Sequence, residues 1–263
     1  MSNKIHANGI DINYKFDGPA DAPVLMLSHS LASNLHMWDT QVEALASKFR
    51  ILRADTRGHG KTEVTSPPYS VQLLLDDTIA LLDALQIEKV HFCGLSLGGM
   101  IGQRFGAFHG DRLHSLTLCD TTSQMRDPLI WDERMKMAKE LGMAGIQSAT
   151  LARWFTEKFF STGGAIIKEI QEMIEETSLV GYLGCCEAIK EMSQAGILNK
   201  IRSPTLIIVG EDDQSTPVAA AQFLKQNIVD SELVVIKSAA HLANIEQHEK
   251  FNDALESHIE TKN

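Results

Sequence analysis

The chain has 263 residues, of which 44% are hydrophobic, so it can bury a full core as one large domain or one domain with an insertion. Its net charge is −10 and no run of lysine and arginine stands out, which argues against nucleic acid and anionic membranes as partners. No signal peptide and no run of about 18 apolar residues is visible, so we expect a cytoplasmic protein.

Short β-branched and apolar runs recur along the chain and predict the strands of a sheet. They are residues 12–16, 24–28, 51–55, 90–93, 116–119, 205–209 and 233–236. Several are apolar throughout, which is typical of parallel strands covered on both faces. Stretches with helical periodicity separate them, including residues 71–85 and the C-terminal stretch around Phe251. The alternation predicts an α/β fold with a mainly parallel central sheet flanked by helices.

The alternation stops between residues 121 and 194, where the sequence has helical patterning and no convincing strand. Isoleucines recur at helical spacing over 166–174, and Gly142 and the pair at 163–164 indicate breaks between helices. We predict that this segment is a helical cap inserted over the carboxyl edge of the sheet. The alternative is that it continues the layered core. The predicted core is then formed by residues 1–120 and 195–263.

A serine between two glycines follows one of the predicted strands. In "VHFCGLSLGGMIGQ", Ser96 lies between Gly94 and Gly98, after the run 90–93 and before the helical stretch 97–108. This strand–turn–helix context is the one that a G-x-S-x-G nucleophile requires. The glycines allow a turn too tight for a Cβ, and the N–H of Leu97 at the helix start can then point at a developing oxyanion.

A serine hydroxyl needs a base, and the base needs a carboxylate to orient it. His241 follows the last predicted strand in "KSAAHLANIEQ" and is the predicted base. Asp213, in "GEDDQSTP" after strand 205–209, is the favoured acid. Asp212 beside it and Asp120, which also ends a strand, stay open as alternatives.

The cysteines and glycines point to no metal or cofactor. Two of the four cysteines lie in predicted strands, and the adjacent pair is poorly placed for a bridge, so we expect reduced thiols. No C-x-x-C or helical H-x-x-x-H spacing is present. "GLSLGGMIG" lacks the lysine of a phosphate loop and the G-x-G start of a dinucleotide fingerprint.

Over nearly its whole length the chain resembles the α/β-hydrolase superfamily, and within it 3-oxoadipate enol-lactonase. The segments that carry the resemblance are "LSHSLASNLHMWD", "ADTRGHGKT", "CGLSLGGMIGQ", "LCDTT", "ARWFT", "GYLGCCEAI", "GEDDQSTP" and "AAHLANIEQ". "SLASNLHMW" and "GYLGCCEAI" resemble the lactonase branch specifically. The lactonase pattern usually has asparagine or glycine at three positions where this chain differs, which are His29, Ala32 and Asp120.

The resemblance implies that Ser96 is the nucleophile, Asp213 the orienting acid and His241 the base. It implies that the backbone N–H groups of Leu31 and Leu97 form the oxyanion hole, and that residues 121–194 are the cap. The implied activity is hydrolysis of a small ester or lactone, 3-oxoadipate enol-lactone above all, in aromatic compound catabolism.

Such a substrate bears a carboxylate, which the overall negative charge repels, so a local cation is expected. Arg134 and Arg153, beside Trp131 and Trp154, are the candidates, although charges on cap helices commonly face water. Trp38 either lines the pocket floor or packs beneath the oxyanion turn.

Two other readings stay open from the sequence. The same machinery fits a general small-ester carboxylesterase or a hydrolase of carbon–carbon bonds beside a ketone. A receptor that binds a small ligand on this fold without turnover is the alternative from another class. Haloalkane dehalogenation is disfavoured because it needs a carboxylate where this chain has Ser96.

Overall fold

The computed structural model describes residues 3–125 and 127–261. These residues form one eight-stranded sheet. Its strands are β1 (Asn3–Ala7), β2 (Ile10–Asp17), β3 (Val24–Ser28), β4 (Arg50–Ala54), β5 (Val90–Leu95), β6 (Leu113–Cys119), β7 (Thr205–Gly210) and β8 (Ser231–Ile236). The order across the sheet is β1-β2-β4-β3-β5-β6-β7-β8.

All pairs from β4 to β8 are parallel, while β1 pairs with β2 and β2 with β4 in antiparallel fashion. Every strand predicted from an apolar run overlaps an observed strand. The edge strand β1, with the sequence NKIHA, was not predicted because three of its residues are polar and exposed.

Ten α-helices lie in the described residues. They are α1 (Asp39–Leu45), α2 (Val71–Ala84), α3 (Leu97–Phe108), α4 (Leu129–Trp154), α5 (Glu157–Thr162), α6 (Gly164–Glu176), α7 (Leu179–Lys190), α8 (Val218–Asn227), α9 (Ala243–Glu246) and α10 (His248–Glu260). Helix α2 illustrates how the local sequence sets a helix start: the Ser70 hydroxyl oxygen accepts the N–H of Leu73 at 3.1 Å and caps the helix. Its apolar stripe, which includes Leu74, Leu75 and Leu82, is buried.

Helices α4 to α7 occupy the segment between β6 and β7, so the helical expectation for this stretch agrees with the structure. Gly142 has φ +69° and interrupts α4, as the sequence predicts. The two ends of the segment meet: Gln124 pairs with Ser193 in an isolated antiparallel bridge, and the Gln194 N–H donates to the Ser123 carbonyl at 2.7 Å.

The core lies between the sheet and its helices, with the central strands β5 and β7 buried along their whole length. None of the helices in the described ranges combines the length and the apolar character that crossing a membrane requires. Cys93, Cys119, Cys185 and Cys186 are buried free thiols.

Candidate active site

Ser96 lies at the turn between β5 and α3 in a strained backbone conformation, with φ +57° and ψ −110°. Its N–H donates to the Cys119 carbonyl at 2.9 Å. A Cβ on Gly94 would lie 2.2 Å from the Gly98 carbonyl oxygen, and one on Gly98 would lie 2.2 Å from that of Ser28. The turn therefore requires both glycines, as the sequence predicts, and it holds the serine backbone rigidly.

The structure brings His241 and Asp213 into direct contact. His241 Nδ1 lies 2.9 Å from Asp213 Oδ2, and both side chains are almost fully buried. The other Asp213 oxygen accepts the N–H groups of Ser215 and Thr216 at 2.8 and 3.0 Å, and the Thr216 hydroxyl donates to Oδ2 at 2.6 Å. Because an ionised carboxylate only accepts hydrogen bonds, the proton of the neutral tautomer lies on Nδ1 and the lone pair lies on Nε2.

The surroundings of Asp213 keep it ionised. Burial opposes the charge, but the neighbouring His241 and the hydrogen bonds from His241 and Thr216 outweigh burial and hold the pKa of Asp213 below its ordinary value. Asp213 thus has both the contact and the charge that an orienting acid needs.

The two alternative acids have different surroundings. Asp212 is exposed. Asp120 is fully buried, and one of its oxygens accepts the Gly210 N–H at 2.8 Å. Burial, and then the negative charge of Asp213, raise the pKa of Asp120 well above its ordinary value, which favours a neutral carboxyl group.

The two predicted oxyanion donors lie at the start of a helix and in a turn. Leu97 is the first residue of α3, so its N–H group has no hydrogen-bond acceptor within the helix. Leu31 lines the cavity described below, whereas the side chain of Leu97 is fully buried.

Two buried histidines hold the turn that contains Leu31. His29 Nε2 accepts the Thr56 N–H at 2.9 Å, and its Nδ1 donates to the Ser30 carbonyl at 2.7 Å. His59 Nε2 accepts the Ala32 N–H at 3.1 Å. Burial lowers the pKa of both imidazoles, that of His59 to about 3, so both are neutral acceptors. His59 was not among the predicted site residues, although it stands in the motif "ADTRGHGKT".

A cavity of about 370 Å³ joins these elements. Leu31, Ser96 and His241 line it from the sheet side. The predicted cap residues Trp131, Arg134, Arg153 and Trp154 all line the same cavity. A volume of this size suits a small molecule.

The two arginines have aromatic and hydroxyl partners. The Arg134 guanidinium lies 4.4 Å from the centre of the Trp131 ring, and Arg153 donates to the Thr150 hydroxyl at 3.3 Å. Burial, and then the charge of Arg134, lower the pKa of Arg153 to about 10. Within residues 3–125 and 127–261, no carboxylate forms an ion pair with either arginine. Two cations without an acidic partner therefore face one small cavity.

Trp38 is the one predicted substrate-binding residue that does not line the cavity. Its side chain is fully buried, and its ring centre lies 6.1 Å from that of Phe251 in α10. The structure therefore corrects the binding role predicted for Trp38, whose side chain packs in the core against Phe251.

Several residues that line the cavity were not predicted from the sequence. Met125, Tyr182 and the stretch 214–217 contribute to the cavity wall. Tyr182 and 214–217 stand inside quoted motifs, "GYLGCCEAI" and "GEDDQSTP", so the motifs themselves were the available signal. Met125 carries no such signal. No cluster of potential metal ligands occurs in the part of the chain that the structure describes.

Comparison with known proteins identifies the family to which the chain is similar. The sequence profile described as alpha/beta hydrolase fold matches residues 23–162. 3-Oxoadipate enol-lactonase 2 of Acinetobacter baylyi is 36% identical over 95% of this chain and 94% of its own. The crystal structure of the enol-lactonase from Burkholderia xenovorans has a TM-score of 0.96 and 34% identity, covering 98% of this chain and 100% of that one. A malate-bound thermophilic esterase from Thermogutta terrifontis has a TM-score of 0.91 and 27% identity, covering 100% and 99%.

Proposed function

The chain belongs to the α/β-hydrolase family, and we propose that within it the protein is a serine lactonase that opens 3-oxoadipate enol-lactone to 3-oxoadipate. It is a hydrolase of carboxylic esters. The observation that carries the narrower proposal is the cavity, which Ser96 and His241 share with two arginines that lack an acidic partner. This combination fits a small ester that bears a carboxylate.

The mechanism begins with His241 Nε2, which takes the proton of Ser96 as the serine oxygen attacks the lactone carbonyl. Asp213 stabilises the imidazolium that forms. The N–H groups of Leu31 and Leu97 stabilise the tetrahedral oxyanion, and the loss of one such donor costs about 3 kcal/mol of barrier. The imidazolium gives this proton to the departing enolate oxygen, and His241, neutral again, takes a proton from the water that cleaves the acyl-enzyme and returns it to the Ser96 oxygen.

An enol-lactone suits this machinery because its leaving oxygen departs as an enolate, a weaker base than an alkoxide. The departed oxygen stays tethered to the acyl group and could close the ring again. Tautomerisation to the ketone removes that nucleophile, so hydrolysis proceeds in one direction.

The substrate carboxylate pairs with Arg153, with Arg134 beside it. Both arginines line the cavity. The structurally similar esterase from Thermogutta terrifontis has bound malate, a dicarboxylate. A guanidinium matches a carboxylate with two parallel hydrogen bonds, which a methionine of similar length cannot replace.

A fluorophosphonate probe and two substrates test the proposal. The parent protein labels and Ser96→Ala does not. The kcat/KM for the enol-lactone exceeds that for a neutral aryl acetate, and Arg153→Met lowers the lactone value about tenfold or more while leaving the acetate value within about twofold. Arg202→Met, at an exposed site, is the matched control.

An aryl acetate turned over orders of magnitude faster than the enol-lactone would replace the narrow proposal with that of a general carboxylesterase. Absence of labelling in the parent would favour a ligand-binding protein without turnover.

Two finer features belong to the same proposal. The cap comprises residues 121–194, which is supported by the meeting of its two ends at Gln124 and Ser193. The protein acts in the cytoplasm, which is supported by its four free cysteines.

A further inference from the structure

The two backbone amides that flank His241 are both tied to other parts of the chain. The Leu242 N–H donates to the Trp154 carbonyl at 3.0 Å, and the Ala240 N–H donates to the Glu246 carboxylate at 3.0 Å. Trp154 ends α4 and lines the cavity. The histidine loop is therefore bonded directly to the end of a cap helix.

Glu246 makes a second connection to the same place. It accepts the Thr156 N–H at 3.3 Å from each carboxylate oxygen, and it also accepts the Thr156 hydroxyl. Thr156 is the residue before α5, and its hydroxyl oxygen accepts the Phe159 N–H at 3.3 Å. One buried carboxylate thus bridges the histidine loop and the junction between α4 and α5.

The bridge is built without a cation. No lysine, arginine or histidine of the described ranges forms an ion pair with Glu246. A buried carboxylate held only by N–H and O–H donors needs all of them, because each lost donor leaves charge uncompensated. The position of Glu246 is therefore sensitive to the position of Thr156.

The rest of α9 is anchored to the core. The Asn244 side chain donates to the Met37 carbonyl at 3.1 Å and to the Gln41 side chain at 3.1 Å, and Gln41 donates back to the Asn244 carbonyl at 2.8 Å. These bonds fix α9 against the segment that follows the oxyanion turn. Glu246 extends from the same helix and hydrogen-bonds to Thr156 of the cap.

We propose that Glu246 is a positioning residue that couples the cap segment 153–156 to His241. This inference rests on the proposed function, because it takes His241 as the base. A ligand carboxylate that engages Arg153 holds the end of α4, and the bonds through Trp154, Thr156 and Glu246 then hold the imidazole loop in its reactive position. Substrates whose carboxylate reaches the cap therefore have a higher kcat, in addition to any tighter binding.

The test compares an aryl acetate, which is too short to carry a charge to the cap, with an aryl hemisuccinate, which carries a carboxylate. Glu246→Gln lowers kcat for the hemisuccinate about tenfold to a hundredfold, with KM changed less than about threefold, because a charge-assisted acceptor is lost. The loss for the acetate is several times smaller. Glu249→Gln, an exposed carboxylate three residues further on, keeps the parent values.

Thr156→Val gives a second, milder test that leaves the Glu246–Ala240 bond in place. It reduces the hemisuccinate-to-acetate kcat ratio in the same direction, and Thr156→Ser, which keeps the hydroxyl, restores that ratio. A purely structural role would lower the unfolding temperature of Glu246→Gln without altering the ratio, and this result overturns the inference.

Equal losses on both substrates also overturn it, because they mean that Glu246 holds the loop without responding to the cap. The proposed function fails separately: it fails when the parent protein does not react with a fluorophosphonate. A parent that reacts, with a Glu246→Gln variant of unchanged kcat ratio, retains the function and removes the coupling.

Discussion

Asp120 and Asp213 follow adjacent strands of the sheet, β6 and β7, yet their surroundings favour opposite protonation states. Asp213 receives hydrogen bonds on both oxygens, whereas one oxygen of Asp120 is buried without a hydrogen-bond partner among the described residues. One negative charge at this edge is enough for the hydrogen bond to His241. A second buried charge beside it would raise the free-energy cost of ionising both carboxyl groups.

Asp120→Asn is expected to stabilise the protein at neutral pH. The folded-state pKa of Asp120 lies well above 3.8, so between about pH 4 and that raised pKa the native state binds a proton that the unfolded state has lost. Stability from this group is present below about pH 4 and falls as pH rises. Thermal unfolding from pH 4 to 8 should show a gain for Asp120→Asn that grows with pH, with kcat nearly unchanged.

Asp213→Asn is the matched comparison and has the opposite sign. Its pKa is lowered, so its contribution to stability is present above about pH 3.8 and is lost as pH falls below that value. The amide also imposes the wrong tautomer on His241, which lowers kcat about 10⁴-fold.

A neutral-pH loss of stability in Asp120→Asn would show that Asp120 is ionised and needed.

At this scale the sequence predicted what local context determines. Ser96 and His241 each follow a strand within a few residues, so the apolar runs before them indicate their place in the fold. The acid stayed open between three aspartates because spacing does not report burial or hydrogen-bond partners. Trp38 was ambiguous for the same reason, since its partner Phe251 is more than 200 residues away in the chain.

Among the elements, the turn that contains Leu31 depends on imidazoles that stay neutral. With a pKa of about 3 when folded and about 6.5 when unfolded, His59 contributes stability that is complete above about pH 6.5. That contribution is lost as pH falls from about 6.5 towards 3, because the unfolded state binds the proton first.

His59→Gln is therefore expected to flatten the dependence of unfolding free energy on pH between about 6.5 and 4. Urea unfolding at several pH values measures this slope. His6→Gln, at an exposed histidine, serves as the control and should keep the parent slope. An unchanged slope in His59→Gln would mean that other groups dominate acid unfolding.

Helix α4 illustrates how one glycine shapes the cavity. A straight helix of its 26 residues would be about 39 Å long, too long for both ends to line one small cavity. The break at Gly142 lets Trp131 and Arg134 from one half and Arg153 and Trp154 from the other face the same space. The sequence predicted the break from the glycine, but the contact between the two halves depends on packing.

Gly142→Ala is expected to cost about 1–3 kcal/mol of unfolding free energy, because φ +69° with ψ −179° is a conformation that essentially only glycine adopts. The site has no atom within 4 Å of the added methyl group, so the effect is purely conformational. Gly196→Ala, also with open space but without a positive φ, should be neutral or stabilise by up to about 1 kcal/mol. Equal effects at the two sites in urea unfolding would contradict this account.

At the level of the whole molecule, composition and alternation were enough to predict the fold class, because each buried parallel strand carries its own apolar run. The polar edge strand β1 carries none, and it is held by pairing with β2 rather than by burial. The connection between the cap and the histidine loop could not be predicted from the sequence either, since Thr156 and Glu246 are 90 residues apart in the chain.

The net charge of −10 and the two cavity arginines act on an anionic substrate at different distances. The overall charge repels it over tens of ångströms, and salt screens that repulsion with a Debye length of about 10 Å at 0.1 M. The arginines act at contact range in a half-buried site, where screening is weaker. Raising ionic strength from about 10 to 150 mM should therefore increase kcat/KM for a carboxylate-bearing ester about twofold, and leave that of a neutral aryl acetate unchanged.

In Arg153→Met the same relative increase should persist on a lower baseline, because the long-range repulsion is intact. A decrease with salt in the parent protein would mean that the arginines dominate the field at the cavity entrance, and that the acidic surface has no part in substrate capture.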